Sequence, residues 1–465
     1  MVDLRQGRGG QVLFLARHEW RVLSASRIVR LVIVAFAFAL GAASMLGAMR
    51  AAHERDTIAY FSDRNFEDRL TAAEPRADVA ANEWGFLALL PPAPLASLAI
   101  GQADVYPNYI KVTARSVDAL VSSDQIEHPL AVANGQFDAA FVILFLYPLL
   151  IFATSFDLTA TERDQGTLRM VMAQPVKLRD LIAGKMIVRA IRLLIPALLI
   201  PAAIAAMAAP VNGEFVLRTA LWSIAVVVYG AIWHGIALLV NARGSSAPSN
   251  ALALAGIWLL FAVIGPSTVN LLIATSYPMP SRVEAAVQAR AATQEATVQG
   301  SRQLGQFLQD HPTSGNVGRE GLRQFALLQA ARDQRVADRL QAVEMSFNEQ
   351  LDKQRRLAAW LSVLSPTMIA QGVLLETAGT STARFDRFRA EAASFQQRWR
   401  AYFEPRVLDA ATLTAEEYQA APSFSYQEES ASLSARRVAV PIVAMAAAAI
   451  ALIVFGFRKY GDYRL

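Results

Sequence analysis

The chain has 465 residues, 54% of them hydrophobic and only 18% charged, with a mean hydropathy of +0.30. That charge content is below the roughly 25% of a soluble domain, which excludes an ordinary globular protein and points to an integral membrane protein with substantial polar parts. The absence of cysteine excludes disulfides and thiolate metal sites, and a net charge of +5 needs no nucleic acid, since membrane proteins concentrate Lys and Arg in cytoplasmic loops.

In chain order, residues 1–27 come first. The run "QVLFLARHEWRVLSASR" sets Val12, Leu15, Trp20 and Leu23 beside several arginines. This suits an amphipathic helix lying on the cytoplasmic membrane surface; the alternative is an extension of the first span. Six stretches then reach the roughly 20 apolar residues that cross a bilayer as a helix: Ile28–Met49, Phe137–Phe156, Ile187–Ala209, Thr219–Val240, Ala251–Ser276 and Val438–Phe457. The first lacks a small-residue cleavage site and reads as an uncleaved span. Pro148, Pro196, Pro201, Gly230, Gly235, Gly265 and Pro266 within the spans suit helices packed in a bundle, where neighbours satisfy freed backbone groups.

Short basic loops set the orientation. Arg163, Arg169, Lys177, Arg179 and Lys185 follow the second span, Arg243 lies between the fourth and fifth, and Arg458, Lys459 and Arg464 follow the last. With the N-terminal arginines, this puts both termini in the cytoplasm. Arg436 and Arg437 oppose the rule, but they follow a long loop. The expected organisation is therefore a cytoplasmic segment 1–27, a span 28–49, an extracytoplasmic segment 50–136, a span 137–156, a cytoplasmic segment 157–186, three spans within 187–276, a helical extracytoplasmic segment 277–437, a span 438–457 and a tail 458–465. Within 277–437 the sequence predicts a long amphipathic helix over Arg319–Leu361 and another from about Arg384 to Tyr402. The short apolar "SPTMIAQGVLLETAG" between them is open to two readings, a helix on the outer membrane surface or docked on a partner, and one packed into the outer domain.

The segment Asp157–Lys185, "DLTATERDQGTLRMVMAQPVKLRDLIAGK", is more than a basic loop. Thr159 and Glu162 have the spacing of a capping box. The helix they begin presents Leu168, Val171 and Met172 on one side until Pro175 stops it. A second helical turn carries Lys185 and Arg189 into the third span. The result is a stiff amphipathic element joined to two spans. Arg189 and Arg192 at its exit read as snorkelling side chains.

Glu162, Arg163, Gly166, Thr167, Leu168, Gln174, Pro175, Leu181, Gly184 and Lys185 together resemble the hallmark of the ABC-2 type (type 2 exporter) ABC transporter permease family. Further matches are "PPAPLASLAIGQADVYP", "GQFDAAFVILFLYPLLI" and "LSPTMIAQGVLLETAGT". They point to a subgroup with a large uncharacterised extracytoplasmic domain between spans five and six. The resemblance covers essentially the whole chain. It implies an all-α integral membrane protein of the bacterial inner membrane, with six transmembrane helices, a cytoplasmic coupling helix and a large, mainly helical periplasmic insertion. It also implies that Thr159, Glu162, Arg163, Gly166, Thr167, Leu168, Gln174, Pro175, Gly184 and Lys185 couple the chain to a separate ATPase subunit, which would hold the ATP and Mg. A second permease copy or a homologous permease would complete the transporter. The sequence agrees in lacking a phosphate-binding loop of its own: Gly184-Lys185 is followed by Met186 where that motif needs Ser or Thr. No cofactor or metal site and no catalytic set is expected in this chain. The five histidines are scattered without ligand spacing.

Two side chains in or beside the spans remain. Asp138 opens the second span; it reads first as a helix N-cap and second as a gate or substrate contact. His234, in the fourth span, either lines a pathway or relays a proton, or hydrogen-bonds a neighbouring helix. Two functions follow as expectations: ATP-driven export, or transmission of ATPase-driven motion to a periplasmic partner without a transported substrate. The sequence does not reveal a substrate.

Overall fold

The computed structural model describes residues 8–71, 75–101, 107–115, 117–118, 137–173, 176–278, 349–409 and 411–461, with isolated positions between 287 and 345. Among the described residues the protein is mostly helical, and six helices are long and apolar enough to cross a membrane. Helix α1 (Arg8–Ala25) breaks at Ser26, and α2 (Arg27–Thr71) follows. The second span, α3, runs from Ala139 through a π-helical turn (Val142–Leu146) to Ser155. Two short helices follow, α4 (Ala160–Asp164) and α5 (Thr167–Met172). Next come α6 (Leu178–Ala208), α7 (Gly213–Asn241) and α8 (Ala247–Ser276, with a π-helical turn at Leu259–Ile264). The distal part contributes α9 (Pro366–Ala378), α10 (Thr382–Leu408) and α11 (Ala415–Gln419), and the last span is α12 (Ala431–Gly461).

Both π-helical turns end two residues before a proline, Pro148 or Pro266. Proline has no N–H and clashes with the carbonyl four residues back, and a wide turn relieves that clash while leaving carbonyls to be satisfied elsewhere. Neighbouring helices supply the donors. Tyr229 Oη donates to Leu144 O at 2.7 Å, Trp258 Nε1 to Phe145 O at 3.2 Å, and Ser365 Oγ to Phe261 O at 2.6 Å. Pro148 and Pro266 are thus paired with side chains that mend the helix around them. Leu40, Tyr147, Ile151, Trp222, Tyr229, Trp233 and Met445 fill the core between the spans.

The bundle has two unlike ends. At the terminal end lie α1, the α4–α5 segment, the α7–α8 loop and the last turns of α12. At the distal end a separate body is built from two distant stretches of chain. Strands β1 (Phe86–Leu89), β2 (Tyr109–Val112) and β3 (Val117–Asp118) form an antiparallel sheet in the order β1-β2-β3, with Phe86 opposite Val112 and Lys111 opposite Asp118. Phe385, Phe388, Phe395, Trp399 and Phe403 lie along one face of α10, as helical spacing requires. They bury against Ala80, Ala81, Phe86, Ala88, Ile110 and Val112. The Phe86 ring stands 5.2 Å from Phe395, and Trp399 Nε1 donates to Ala81 O at 3.1 Å. Ala77 N bonds Ala411 O at 3.0 Å and Leu413 N bonds Pro75 O at 2.9 Å. Residues 77–112 and 385–426, separate in sequence, therefore share one hydrophobic core.

Several expectations change here. The sheet adds strands to a chain read as all helical. The helix of the first span continues past Met49: α2 has 45 residues, about 68 Å, and runs on beside the distal body, where Asn65 Nδ2 donates to Leu87 O at 3.1 Å. Helix α10 starts two residues before the expected Arg384 and ends six after Tyr402. Most of the long helix expected over 319–361 lies outside the described residues; its end, 349–362, is helical. The "SPTMIAQGVLLETAG" helix is α9, and its Ala370, Val373, Leu374 and Ala378 are buried in the same core as the spans. Neither reading holds as made: the helix is buried, but in the bundle and not in the outer domain.

Candidate functional site

The segment between α3 and α6 is fixed at three levels. At its entrance, Asn241 at the end of α7 accepts from Leu158 N at 3.1 Å and donates to Ser155 O at 2.8 Å. Asn250 of α8 donates to Asn241 Oδ1 at 3.2 Å. Both asparagines are 1% exposed, so each amide is committed to holding the chain where it leaves α3. In the middle, Arg163 donates to Gly244 O and, at 2.7 Å, to Ser245 O in the α7–α8 loop. Beneath, Leu168 buries among Leu158, Leu178, Ile182, Met186, Leu238 and Tyr460. That cluster joins α6, α7 and α12 to the segment, and Arg179 Nε donates to Phe457 O at 2.7 Å beside it.

The expected capping box is absent. Thr159 is the N-cap residue of α4 but makes no side-chain capping bond. Glu162 instead pairs with Lys185, whose Nζ also donates to Leu158 O at 2.9 Å. Lys185 is buried, and an unpaired ammonium there would carry the full desolvation cost. Glu162 therefore serves the ion pair better than it would serve an exposed amide. The single helix expected up to Pro175 is also broken, at Gly166, whose φ of +71° lies in the left-handed region that only glycine adopts at no cost. Gln174 and Pro175, and the side chains of Val171 and Met172, lie outside the described residues.

Gly184 faces α1: a Cβ there would come within 3.0 Å of Leu15 Cβ and 3.2 Å of Ala16 N. Glycine thus lets α1 pack directly on α6. Arg189 is not a snorkelling residue. It is 7% exposed and donates to Glu19 at 3.1 Å, to Asp157 at 3.0 Å and to Thr154 O. Arg192 stacks 4.2 Å from the Trp20 ring centroid and donates to Trp20 O at 2.6 Å and to Ser24 Oγ. The N-terminal helix is therefore docked on α6, while Leu13, Phe14 and Val22 on it stay exposed. It does not continue the first span.

The residues of the sequence motif thus divide in two. Thr159, Glu162, Arg163, Leu168, Gly184 and Lys185 face inward or are tied to the bundle. Gly166 and Thr167, with Asp164, Gln165, Arg169 and Met170, form an exposed rim. The structure adds Glu19, Asn241, Asn250 and the Gly244-Ser245 carbonyls to the site. The two asparagines were visible in the sequence as amides at adjacent span ends. Glu19 carried no signal, since its partner lies 170 residues away.

The other two candidates stand apart. Asp138 caps α3, accepting from Phe141 N at 2.7 Å, and its second oxygen accepts from Ile100 N at 2.8 Å. The N-cap reading holds, but the residue is buried under the Pro91–Gly101 loop and not at an open edge. His234 is buried in α7, and neither ring nitrogen has a hydrogen-bond partner among the described residues. The helix-bridging bond expected of it is not there.

Residues 282–427 match a family model described as a domain of unknown function, DUF3526. No curated protein matches the chain. The matched stretch holds α9, α10 and α11 and stops short of the terminal-end site. It also leaves out the sheet that completes the distal core.

Proposed function

We propose that the chain is the membrane-spanning permease subunit of an ATP-driven ABC exporter, which receives force from a separate nucleotide-binding subunit at the rim 164–170. The supporting observation is the mechanical isolation of that rim. It is exposed, yet hydrogen bonds, an ion pair and the Leu168 cluster tie the segment that carries it to α6, α7, α12 and the α7–α8 loop. Among the described residues, a push on it reaches these helices through packed and hydrogen-bonded contacts. ATP and Mg belong to the partner, a second permease completes the assembly, and the basic terminal end faces the cytoplasm of a bacterial inner membrane. The chain is in this reading a transport subunit and not itself an enzyme.

The test is a reconstituted complex with the ATPase. Gly166→Val should abolish ATP-dependent substrate movement while the complex still assembles and hydrolyses ATP. Normal transport by this variant sinks the assignment.

A second reading, motion passed to a periplasmic partner without transport, is favoured by the junction between bundle and distal body. Arg437 of α12 pairs with Glu376 at 2.9 Å and Glu429 at 2.7 Å, and Arg387 of α10 also pairs with Glu429. Arg218 of α7, 1% exposed, donates to Glu429 O at 2.6 Å and to Ser434 Oγ at 3.3 Å. Deleting the whole distal segment would remove α9 from the bundle core, so loosening the junction discriminates better. Glu429→Gln with Arg437→Ala should spare transport under pure export and abolish partner movement under mechanical transmission.

A further inference from the structure

A cleft opens where α2, the Pro91–Gly101 loop and the joint between α9 and α10 meet, with Arg50, Glu54, Pro92, Ala93 and Arg384 on its lining. Its depth follows from α2. The apolar run of the first span ends at Met49, and Arg55 donates to the carbonyl of Ala208, the last residue of α6. From Arg50 to Arg55 is about 7.5 Å along the helix, so the cleft sits where two spans run out of hydrocarbon. Arg384 is held there in one pose. Its Nε and Nη2 donate to Glu428 at 3.0 and 2.7 Å, Nη2 also donates to Pro91 O at 2.8 Å, and the guanidinium carbon lies 5.2 Å from the Tyr426 ring centroid. Its Nη1 donates to nothing among the described residues. A planar fork fixed in this way loses little further freedom on binding, and its remaining N–H groups call for an acceptor. Arg50 brings a second cation from a different element, in long contact with Glu54 at 3.4 Å.

We propose that this cleft binds the phosphodiester of a phospholipid from the distal leaflet, held by Arg50 and Arg384, with the acyl chains outside it along α2. The proposal rests on the six spans crossing a membrane and not on what is transported; the lipid is a bound component and not cargo. Arginine suits the group, since its fork matches phosphate oxygens and the hydrogen bonds are charge-assisted. Size fits as well. The inner space is about 50 Å³, room for about three or four waters, and so for one tetrahedral phosphate but not for a whole lipid. Two observations select a phospholipid over a free phosphate ion. Glu54 and Glu428 pair with the two arginines, so the site is close to neutral, and it suits the single charge of a diester better than a multiply charged ion. The surroundings are also apolar. Pro92, Ala93 and Phe385 line the cleft, while Leu46 and Met49, on the turn of α2 that precedes Arg50, are 53% and 60% exposed. An acyl chain gains by covering that surface, whereas a free ion gives up its hydration beside it.

The full chain, stripped of lipid in detergent, would be titrated with dioleoyl phosphatidylglycerol, with dioleoylglycerol and with inorganic phosphate, and the tightest adduct followed by native mass spectrometry. Phosphatidylglycerol should be retained at one molecule per chain, and dioleoylglycerol, which has the same chains and no phosphate, should be lost. Arg50→Gln should weaken retention by about tenfold or more, the loss of one charge-assisted hydrogen bond. Ala96→Phe, which fills the cleft and keeps both arginines, should weaken it as much. Arg30→Gln, an exposed arginine near the other end of α2, should leave it unchanged. Melting in lipid-free detergent separates a lost site from a lost fold, and the comparison of the two lipids on the unaltered chain decides even where a variant fails to fold. Equal retention of dioleoylglycerol, or retention by well-folded Arg50→Gln and Ala96→Phe that matches the unaltered chain, would overturn the proposal. Release of the lipid by millimolar phosphate would assign a site for the free ion and overturn it equally.

Discussion

The terminal and distal ends of this molecule are both held by arginines, in different ways. At the terminal end the ion pairs are buried. Arg189 is 7% exposed and Lys185 equally so, and their carboxylates come from α1, the α3 exit and α4. At the distal end, the Arg437 side chain keeps 45% of its surface in solvent, and the work of cohesion falls to the aromatic face of α10. Buried pairs tolerate no loss of a partner, whereas exposed pairs rearrange at little cost. The terminal end is thus held by buried ion pairs, while the distal junction combines the buried Arg218 with pairs whose arginines solvent reaches.

The largest effects should separate the ends cleanly. Arg189→Leu leaves Glu19 and Asp157 without their cation and should cost about 3–5 kcal/mol, read as a fall in thermal stability in detergent. Adding Glu19→Gln should recover part of the loss. Trp399→Ala should cost a similar ~3–5 kcal/mol, but protease sensitivity should rise at 75–118 and 382–427 and not at α4–α5. Sensitivity spreading to both ends would show that they do not fold as separate units. Gly166→Ala meets no atom within 4 Å, so its cost is backbone alone, about 1–2 kcal/mol. Gly166→Asn should cost less in the same melting experiment.

Acid probes the junction. Burial by itself would raise the pKa of Glu429, but hydrogen bonds from Arg387 and Arg437 outweigh it and hold the carboxyl below its ordinary 4.5. Its contribution is therefore complete above pH 4.5 and lost as pH falls through the lower folded value. Distal exchange protection should weaken in that window, and Glu429→Gln should flatten the pH dependence. The smallest effect belongs to Arg437→Ala, about 0.2–1 kcal/mol and shrinking with added salt.

The six spans were legible because hydropathy over some 20 residues needs no partner to be read. Helix α9 was legible as a short apolar helix but not as part of the bundle, since its 13 residues fall short of that window and its place is set by the hydroxyls of Ser365 and Thr367. The strands were hidden for a related reason: "FLAL" and "YIKV" are four residues each, too short for alternation to count. At the terminal site the inward and outward faces of the motif were not separable by sequence. The Thr159–Glu162 spacing suggested a cap, but the stronger demand came from Lys185, and an ion pair across 23 residues leaves no periodic trace.

The shared core of the distal body also sets a timetable. About 260 residues and four spans separate β3 from α10. At about 5–20 residues per second, the ribosome delivers the aromatic face of α10 on the order of 13–50 s after the strands it covers. Until then Phe86, Ile110 and Val112 have no α10 aromatics to pack against. In each new molecule the apolar residues of these strands wait that long for the surface that covers them in the finished fold.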